Sequence, residues 1–375
     1  MSEMAAGGVY VLDIDIEPFT NNRAFDIEEM KKYPGAETGA VLAERLRARG
    51  FETVTADVFL ANEALSRRPA VCVSNHLTRH THTLLAMRNV IPVVCMTLES
   101  PLGALDFYFR EAREASEHFH HVFFWKGMRS RSTGGASFHE IHWPYPDLTP
   151  PDGGLPWRER RFVALVNSNK RVFGWPRPFF SFRCPRRSLR MLRRSVQLRR
   201  LQQVDEIFRS DLYAARLRAI RHFSGSGDFD LYGRGWDDPS SLPRRLAAAV
   251  TRSFRGEIAP LAKVETLKDY RFCLCFENTA LEGYITEKIF DCLAAGCIPV
   301  YLGAPDVEEH IPPGCFVDVR RFPSLRALEA HMRGMSDETA TSMLENARDF
   351  LVSERADVFR QEHFVGEMLR VLSPG

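Results

Sequence analysis

The chain has almost no net charge: 50 Lys and Arg stand against 48 Asp and Glu, a formal +2 over 375 residues. That balance excludes a polyelectrolyte held to nucleic acid by bulk attraction, so any electrostatic role is local. No segment reaches the ~18–20 unbroken apolar residues of a membrane span. Residues 1–8 also lack the basic start and apolar stretch of a signal peptide. There are eight cysteines, Cys72, Cys95, Cys184, Cys273, Cys275, Cys292, Cys297 and Cys315, but no CxxC pair, the spacing of many zinc and redox sites. Most sit in apolar runs, where a thiol behaves as a small hydrophobe. With no disulfide framework expected in so long a chain, a reducing cytoplasm is the expected compartment. His76, His80 and His82, like His118, His120 and His121, come without acids at ligand spacing, so no metal is expected. No internal repeat is visible.

What is present is alternation. Strand patterns at 9–16, 51–59, 70–74 and 91–98 are separated by helical patterns at 37–49 and 82–89. After 145–157, YPDLTPPDGGLPW, the pattern resumes with strands at 162–166, 230–232, 271–276 and 298–302. Helices are expected at 211–223, 286–295, 337–352 and 358–372. Strands alternating with helices predict an α/β protein with parallel sheets covered on both faces. The Pro- and Gly-rich stretch reads as the connection between two domains. Ligands of such sheets lie beyond the carboxyl ends of the strands.

The most informative stretch is 270–303, YRFCLCFENTALEGYITEKIFDCLAAGCIPVYLG. A buried strand delivers Glu277 and Asn278 to its end, where a carboxylate and an amide can bond sugar or ribose hydroxyls. The loop then enters a helix whose first turn holds Thr286, Glu287 and Lys288. A lysine there opposes the positive end of the helix dipole at a cost of a few tenths to ~1 kcal/mol. A diphosphate bound at the helix start would reverse that sign, meeting N–H donors and the ammonium together. The alternative is a lysine turned into water or paired with a nearby carboxylate.

FENTALEGYITEK, followed by an apolar helix, AAG and IPVYLG, resembles the donor-binding signature of the family-10 glycosyltransferases, the alpha-1,3-fucosyltransferases. There it reads FEN, a short variable loop, Tyr, Val or Ile, then Thr-Glu-Lys. VNSNK at 166–170 is similar to the family's Ser-Asn element, and YAARLR at 213–218 to the helix whose arginine reaches the donor diphosphate. The resemblance implies a soluble, bacterial-type member with two facing Rossmann-like domains, the GT-B arrangement. Residues 1–150 would form the acceptor-side domain. Residues 158–350 would bind the GDP-sugar and carry a basic insertion at about 170–205, and a helix within 351–375 would pack back on the first domain. By position, Arg216, Glu277, Asn278, Tyr284, Thr286, Glu287 and Lys288 would bind the donor, with Ser168 and Asn169 beside them and Arg218 the alternate for Arg216. MTLESP at 96–101 resembles the family's Glu-Ser-Pro, which makes Glu99 the implied general base. Its plainer reading is a loop carboxylate before a proline, and a base also needs a pKa raised by partial burial. The implied reaction is an inverting displacement: a glycan hydroxyl attacks GDP-beta-L-fucose, GDP leaves, and no cofactor is required.

Two features depart from that pattern. Gly283 stands where relatives often carry an acid, which loosens the expected donor contact. Residues 171–200 hold Arg171, Arg177, Arg183, Arg186, Arg187, Arg190, Arg193, Arg194, Arg199 and Arg200 with no acid among them. A helix at 189–201, with Leu189, Leu192 and Val196 on one side, would suit an anionic lipid surface, so peripheral contact through 183–201 with the inner membrane surface and a glycolipid acceptor is one reading. A solvated insertion is the other. Nucleic acid ranks last, because no binding fold accompanies the arginines. Two functional alternatives stay open: the same fold with another nucleotide-sugar, and a non-catalytic protein that binds membranes or acidic polymers through the insert.

Overall fold

In the computed structural model, which describes residues 8–33, 35–151, 153, 155–169 and 185–372, each strand runs parallel to its sheet neighbours. The chain divides into two units. Unit 1 comprises Met1–Glu99, Ala104–Asp147 and Asp357–Gly375; unit 2 comprises Ser100–Gly103 and Leu148–Ala356. Arg171, Arg177 and Arg183 of the basic stretch lie outside the described residues.

Unit 1 holds β1 (Val9–Asp13), β2 (Glu52–Thr55), β3 (Ala70–Asn75), β4 (Val90–Met96), β5 (His121–Phe124) and β6 (Ser137–Glu140). Their order is β2-β1-β3-β4-β5-β6, so the winding reverses between β1 and β3. Every residue of β1 is buried, as a strand covered by helices on both faces requires. The expected strand at 51–59 is corrected: it stops at Thr55, and Ala56–Ala61 is helical. Thr55 is the extended N-cap of this turn and Asp57 sits in its first turn, a start signal that outweighs the apolar run. The closing helix Gln361–Leu372 belongs to unit 1, where Phe364 meets Phe123 edge to face at 6.5 Å.

Unit 2 holds β7 (Arg161–Val166), β8 (Phe229–Tyr232), β9 (Phe254–Gly256), β10 (Tyr270–Phe276), β11 (Ile298–Leu302) and β12 (Val317–Asp318). The order β12-β11-β10-β7-β8-β9 is that of a Rossmann sheet, two halves running outward from a switch point between β7 and β10. Phe162, Leu165, Phe223, Phe272, Leu274, Phe276 and Val300 are core residues between sheet and helices. The helix Glu287–Ala295 stops at Gly296, whose φ of 64° is the left-handed C-cap that glycine favours. The helix Pro185–Val204 covers the expected 189–201. Along it Val196 is exposed at 44%, whereas Leu198 and Leu201 are buried and pack on the fold.

Candidate functional site

The switch point of unit 2 places the ends of β7 and β10 side by side, and the side chains there form one hydrogen-bonded network. Arg216, from the helix Tyr213–Phe223, is 1% exposed. Its Nη1 donates to Asn167 Oδ1 (2.6 Å), and its Nη2 faces the carbonyls of Phe276 (2.7 Å) and Glu277 (3.0 Å) and Asn278 Oδ1 (3.2 Å). All four acceptors are neutral oxygens, and the buried Nε has no partner. Burial pushes the guanidinium pKa down, against the pull of Tyr213 and Glu277, yet an arginine remains charged in a protein. A full positive charge therefore stands inside the fold without a direct carboxylate contact.

Glu277 is fully buried, and both of its oxygens are taken by the protein. Thr286 N donates to Oε1 (2.8 Å), the Thr286 hydroxyl approaches Oε2 (2.8 Å), and Lys288 Nζ lies 3.0 Å from Oε2. The contact between Glu277 and a sugar hydroxyl expected from sequence is thereby corrected: its lone pairs hold the loop between β10 and the next helix. Gly303 permits this close packing, since a Cβ there would come within 2.5 Å of Glu277 Cγ and 2.3 Å of Tyr301 Oη. Because its hydroxyl is aimed at Glu277, Thr286 makes no side-chain cap to the helix it starts.

Lys288 follows the alternative reading of the sequence. Its ammonium contacts Thr286 Oγ1 (2.7 Å), Glu277 Oε2 (3.0 Å) and Glu287 Oε1 (3.2 Å). The first-turn lysine is thus offset by two carboxylates. For Glu287, burial alone would raise the pKa, but Lys288 and Lys263 together with hydrogen bonds bring it down to about 2. Lys263 also pairs with Asp291 at 3.3 Å.

Other expected residues take distinct places. Asn278 Nδ2 donates to Tyr284 Oη at 3.3 Å, and the loop before Tyr284 is pinned where Gly283 N meets Asp306 Oδ1 at 3.0 Å. Gly283 adopts φ 74°, a conformation an acidic residue would adopt only at a cost. Asn169 accepts from Tyr213 Oη (2.6 Å) and donates to the Gly235 carbonyl (2.8 Å). Ser168 and Arg218 are exposed, so Arg216 is the buried arginine of the pair. Glu99 belongs to unit 1 and is exposed, which corrects the expectation of partial burial; its backbone carbonyl accepts from Tyr108 Oη and Trp125 Nε1.

Sequence reasoning missed Asn167 and Lys263. Asn167 lies in the VNSNK stretch but only the register of β7 puts its amide on Arg216, and Lys263 comes from a separate helix. It also missed a polar centre at the switch point of unit 1. There the buried Asp13 accepts from Ser74 (2.9 Å), Thr78 (2.5 Å) and Thr81 (2.6 Å), and burial raises its pKa against those donors. Its only signal was an acid at the end of a buried strand.

Residues 209–345 match the C-terminal region of glycosyltransferase family 10 (fucosyltransferase). An alpha-(1,4)-fucosyltransferase of Arabidopsis thaliana is 39% identical over 72 residues, 19% of this chain and 18% of that protein. The alpha-(1,3)-fucosyltransferase FucT of Helicobacter pylori is 48% identical over 60 residues, 16% of this chain and 13% of that protein. The chain thus spans less than a fifth of the length of either relative. By fold alone it is similar to a sucrose-phosphate synthase of Thermosynechococcus elongatus, with a TM-score of 0.60 at 11% identity and 98% of each chain covered. The two Rossmann-like units are of the kind that make up GT-B glycosyltransferases. The matched residues 209–345, which include Arg216 and the whole loop from Glu277 to Lys288, are thus similar to the C-terminal region of glycosyltransferase family 10, the fucosyltransferase family.

Proposed function

We propose that this chain is a glycosyltransferase that moves L-fucose from GDP-beta-L-fucose to a glycan hydroxyl in an alpha-1,3/1,4-type linkage with inversion, and that the switch point of unit 2 holds the donor. The observation that carries the reading is Arg216: a buried cation whose acceptors are all neutral, at the place where Rossmann sheets take nucleotides. Next to it the helix Glu287–Ala295 begins without a side-chain cap, so its first N–H groups suit a diphosphate. In this reading Lys288 exchanges one of its two carboxylates for a phosphate oxygen as the donor enters. Asn278 and Glu287, ionised at neutral pH, accept from donor hydroxyls, and Tyr284, Ser168 and Asn169 shape the donor side.

Charge developing on the departing diphosphate is met by donors already in place, the electrostatic contribution that is commonly largest in such steps. Glu99 is proposed as the base that takes the proton of the attacking hydroxyl. Its support is the Glu-Ser-Pro resemblance and the two hydrogen bonds that fix its backbone.

The test is calorimetric titration of GDP together with transfer assays on the full chain. Lys288→Ala weakens GDP binding about tenfold or more, and Glu99→Gln removes transfer while leaving GDP affinity within about twofold, where tenfold corresponds to ~1.4 kcal/mol. GDP that binds Lys288→Ala as well as the parent would overturn the donor site. Equal loss of binding and transfer in Glu99→Gln would remove it from the base role. In a panel of nucleotide-sugars, GDP-fucose should be hydrolysed fastest; another donor turning over faster would replace fucose in the proposal.

A further inference from the structure

Strand β10 alternates between two faces, as a buried strand does. Phe272, Leu274 and Phe276 belong to the apolar core of unit 2. The residues between them, Cys273 and Cys275, meet Cys292 of the helix Glu287–Ala295. The three sulfur atoms all lie within 4.8 Å of one another, and Cys275 Sγ is 3.1 Å from Cys292 Sγ. A fourth thiol, Cys297, lies in the turn into β11 and acts electrostatically on Cys292. Each of the four residues is at most 3% exposed.

Three explanations compete for such a cluster. Buried thiols acting as small hydrophobes need apolar neighbours, and nothing in that role gathers four of them from one strand, a helix and the turn after it. A disulfide needs an S–S distance of about 2.05 Å, and one between Cys275 and Cys292 would leave Cys273 and Cys297 unaccounted for. A tetrahedral thiolate site has metal–sulfur bonds of about 2.3 Å, hence sulfurs about 3.8 Å apart. The separations among Cys273, Cys275 and Cys292, 3.1 Å for Cys275–Cys292 and none above 4.8 Å, lie near that value, so closing these three on an ion needs side-chain shifts of only about 1 Å or less. The surroundings fit the charge as well. Three or four thiolates around a divalent cation leave a net negative charge, and the Lys263 ammonium acts on Cys273 while the Arg160 guanidinium acts on Cys297.

We propose that Cys273, Cys275 and Cys292, with Cys297 as the fourth ligand, form a closed structural site for a soft divalent cation of the zinc class. Thiolates select such ions over magnesium or calcium. Binding breaks one S–H bond and makes one metal–sulfur bond per ligand, and the protons go to solvent. No redox change is involved. The ion fastens the helix Glu287–Ala295 to β10, on the side of that helix where Cys275 Sγ now donates to the Lys288 carbonyl at 3.4 Å.

The experiment uses the full chain, purified under reducing conditions, stripped with a chelator and titrated with cadmium(II). The expected result is one cadmium per chain, an ultraviolet thiolate-to-cadmium charge-transfer band, and displacement of the ion by excess zinc(II). Cys273→Ser with Cys292→Ser abolishes the band, whereas Cys72→Ser with Cys95→Ser in unit 1 leaves it. Should the first double variant fold poorly, pulsed alkylation of the parent chain decides: bound cadmium slows modification of Cys273, Cys275, Cys292 and Cys297 at least tenfold and leaves Cys72 and Cys95 unchanged. No band in the parent chain, a band that survives loss of Cys273 and Cys292, or alkylation indifferent to cadmium overturns the site. The readout involves no nucleotide, so its failure leaves the proposed donor site standing.

Discussion

Three ionisable residues, Arg216 and Glu287 in unit 2 and His76 in unit 1, each have their own consequence. Arg216 is buried with neutral acceptors only, so Arg216→Met should remove GDP binding by calorimetry and also lower the unfolding free energy. Each of the acceptors it abandons costs on the order of 1–3 kcal/mol when left buried and unpaired. Glu287 has its pKa lowered from 4.5 to about 2. A carboxylate lowered in the fold contributes stability that is complete above its unfolded value and is lost as pH falls through its folded one. Chemical denaturation should therefore show stability falling between about pH 4.5 and pH 2, by about 3 kcal/mol from this group, and Glu287→Gln should flatten that segment. His76 has the opposite chemistry. It holds a left-handed φ of 67°, bonds Thr97 Oγ1 at 2.6 Å and lies against Phe107 at 4.8 Å. Burial pushes its imidazole from 6.5 down to about 4. The unfolded chain binds the proton more readily, so stability is complete above pH 6.5 and declines towards pH 4. His76→Asn, which tolerates the same φ, should remove that slope.

At the scale of elements, the loop from Glu277 to Thr286 is tied by a staple between a strand end and a helix start. Thr286 N and its hydroxyl both reach the Glu277 carboxylate. Thr286→Val keeps the shape and the backbone bond but removes the hydroxyl, which should cost ~1–3 kcal/mol in thermal or chemical unfolding, the penalty of an underpaired buried carboxylate. Thr286→Ser should restore most of it. The central parallel strands were legible in the sequence because their apolar runs are continuous; β11 was expected at 298–302 and is found at Ile298–Leu302. The strands at the rim were not. β6 is exposed or half-buried throughout and β12 has two residues, so neither shows an apolar run or a period. The short helix Ala56–Ala61 was hidden for the converse reason: its apolar residues read equally well as a strand.

For the whole molecule, donor binding confined to unit 2 has a signature. In hydrogen exchange of the full chain, GDP should slow exchange in the helices Tyr213–Phe223 and Glu287–Ala295 and leave β1 (Val9–Asp13) unaffected. Protection confined to unit 1 would contradict the proposed site. The α/β class, the alternation that makes two Rossmann-like units, and the family-10 resemblance of the loop from Glu277 to Lys288 were determined by sequence alone, since periodicity and residue order are local properties of the chain. What only tertiary structure decided is what the side chains do there. Residues far apart in the chain, Asn167, Arg216 and Glu277, become neighbours through the strand order across the switch point. That proximity set Lys288 against two carboxylates, turned Glu277 inward, and gathered four thiols that share no recognisable spacing, because hydrogen bonding and burial act on distance in space, which no linear pattern encodes.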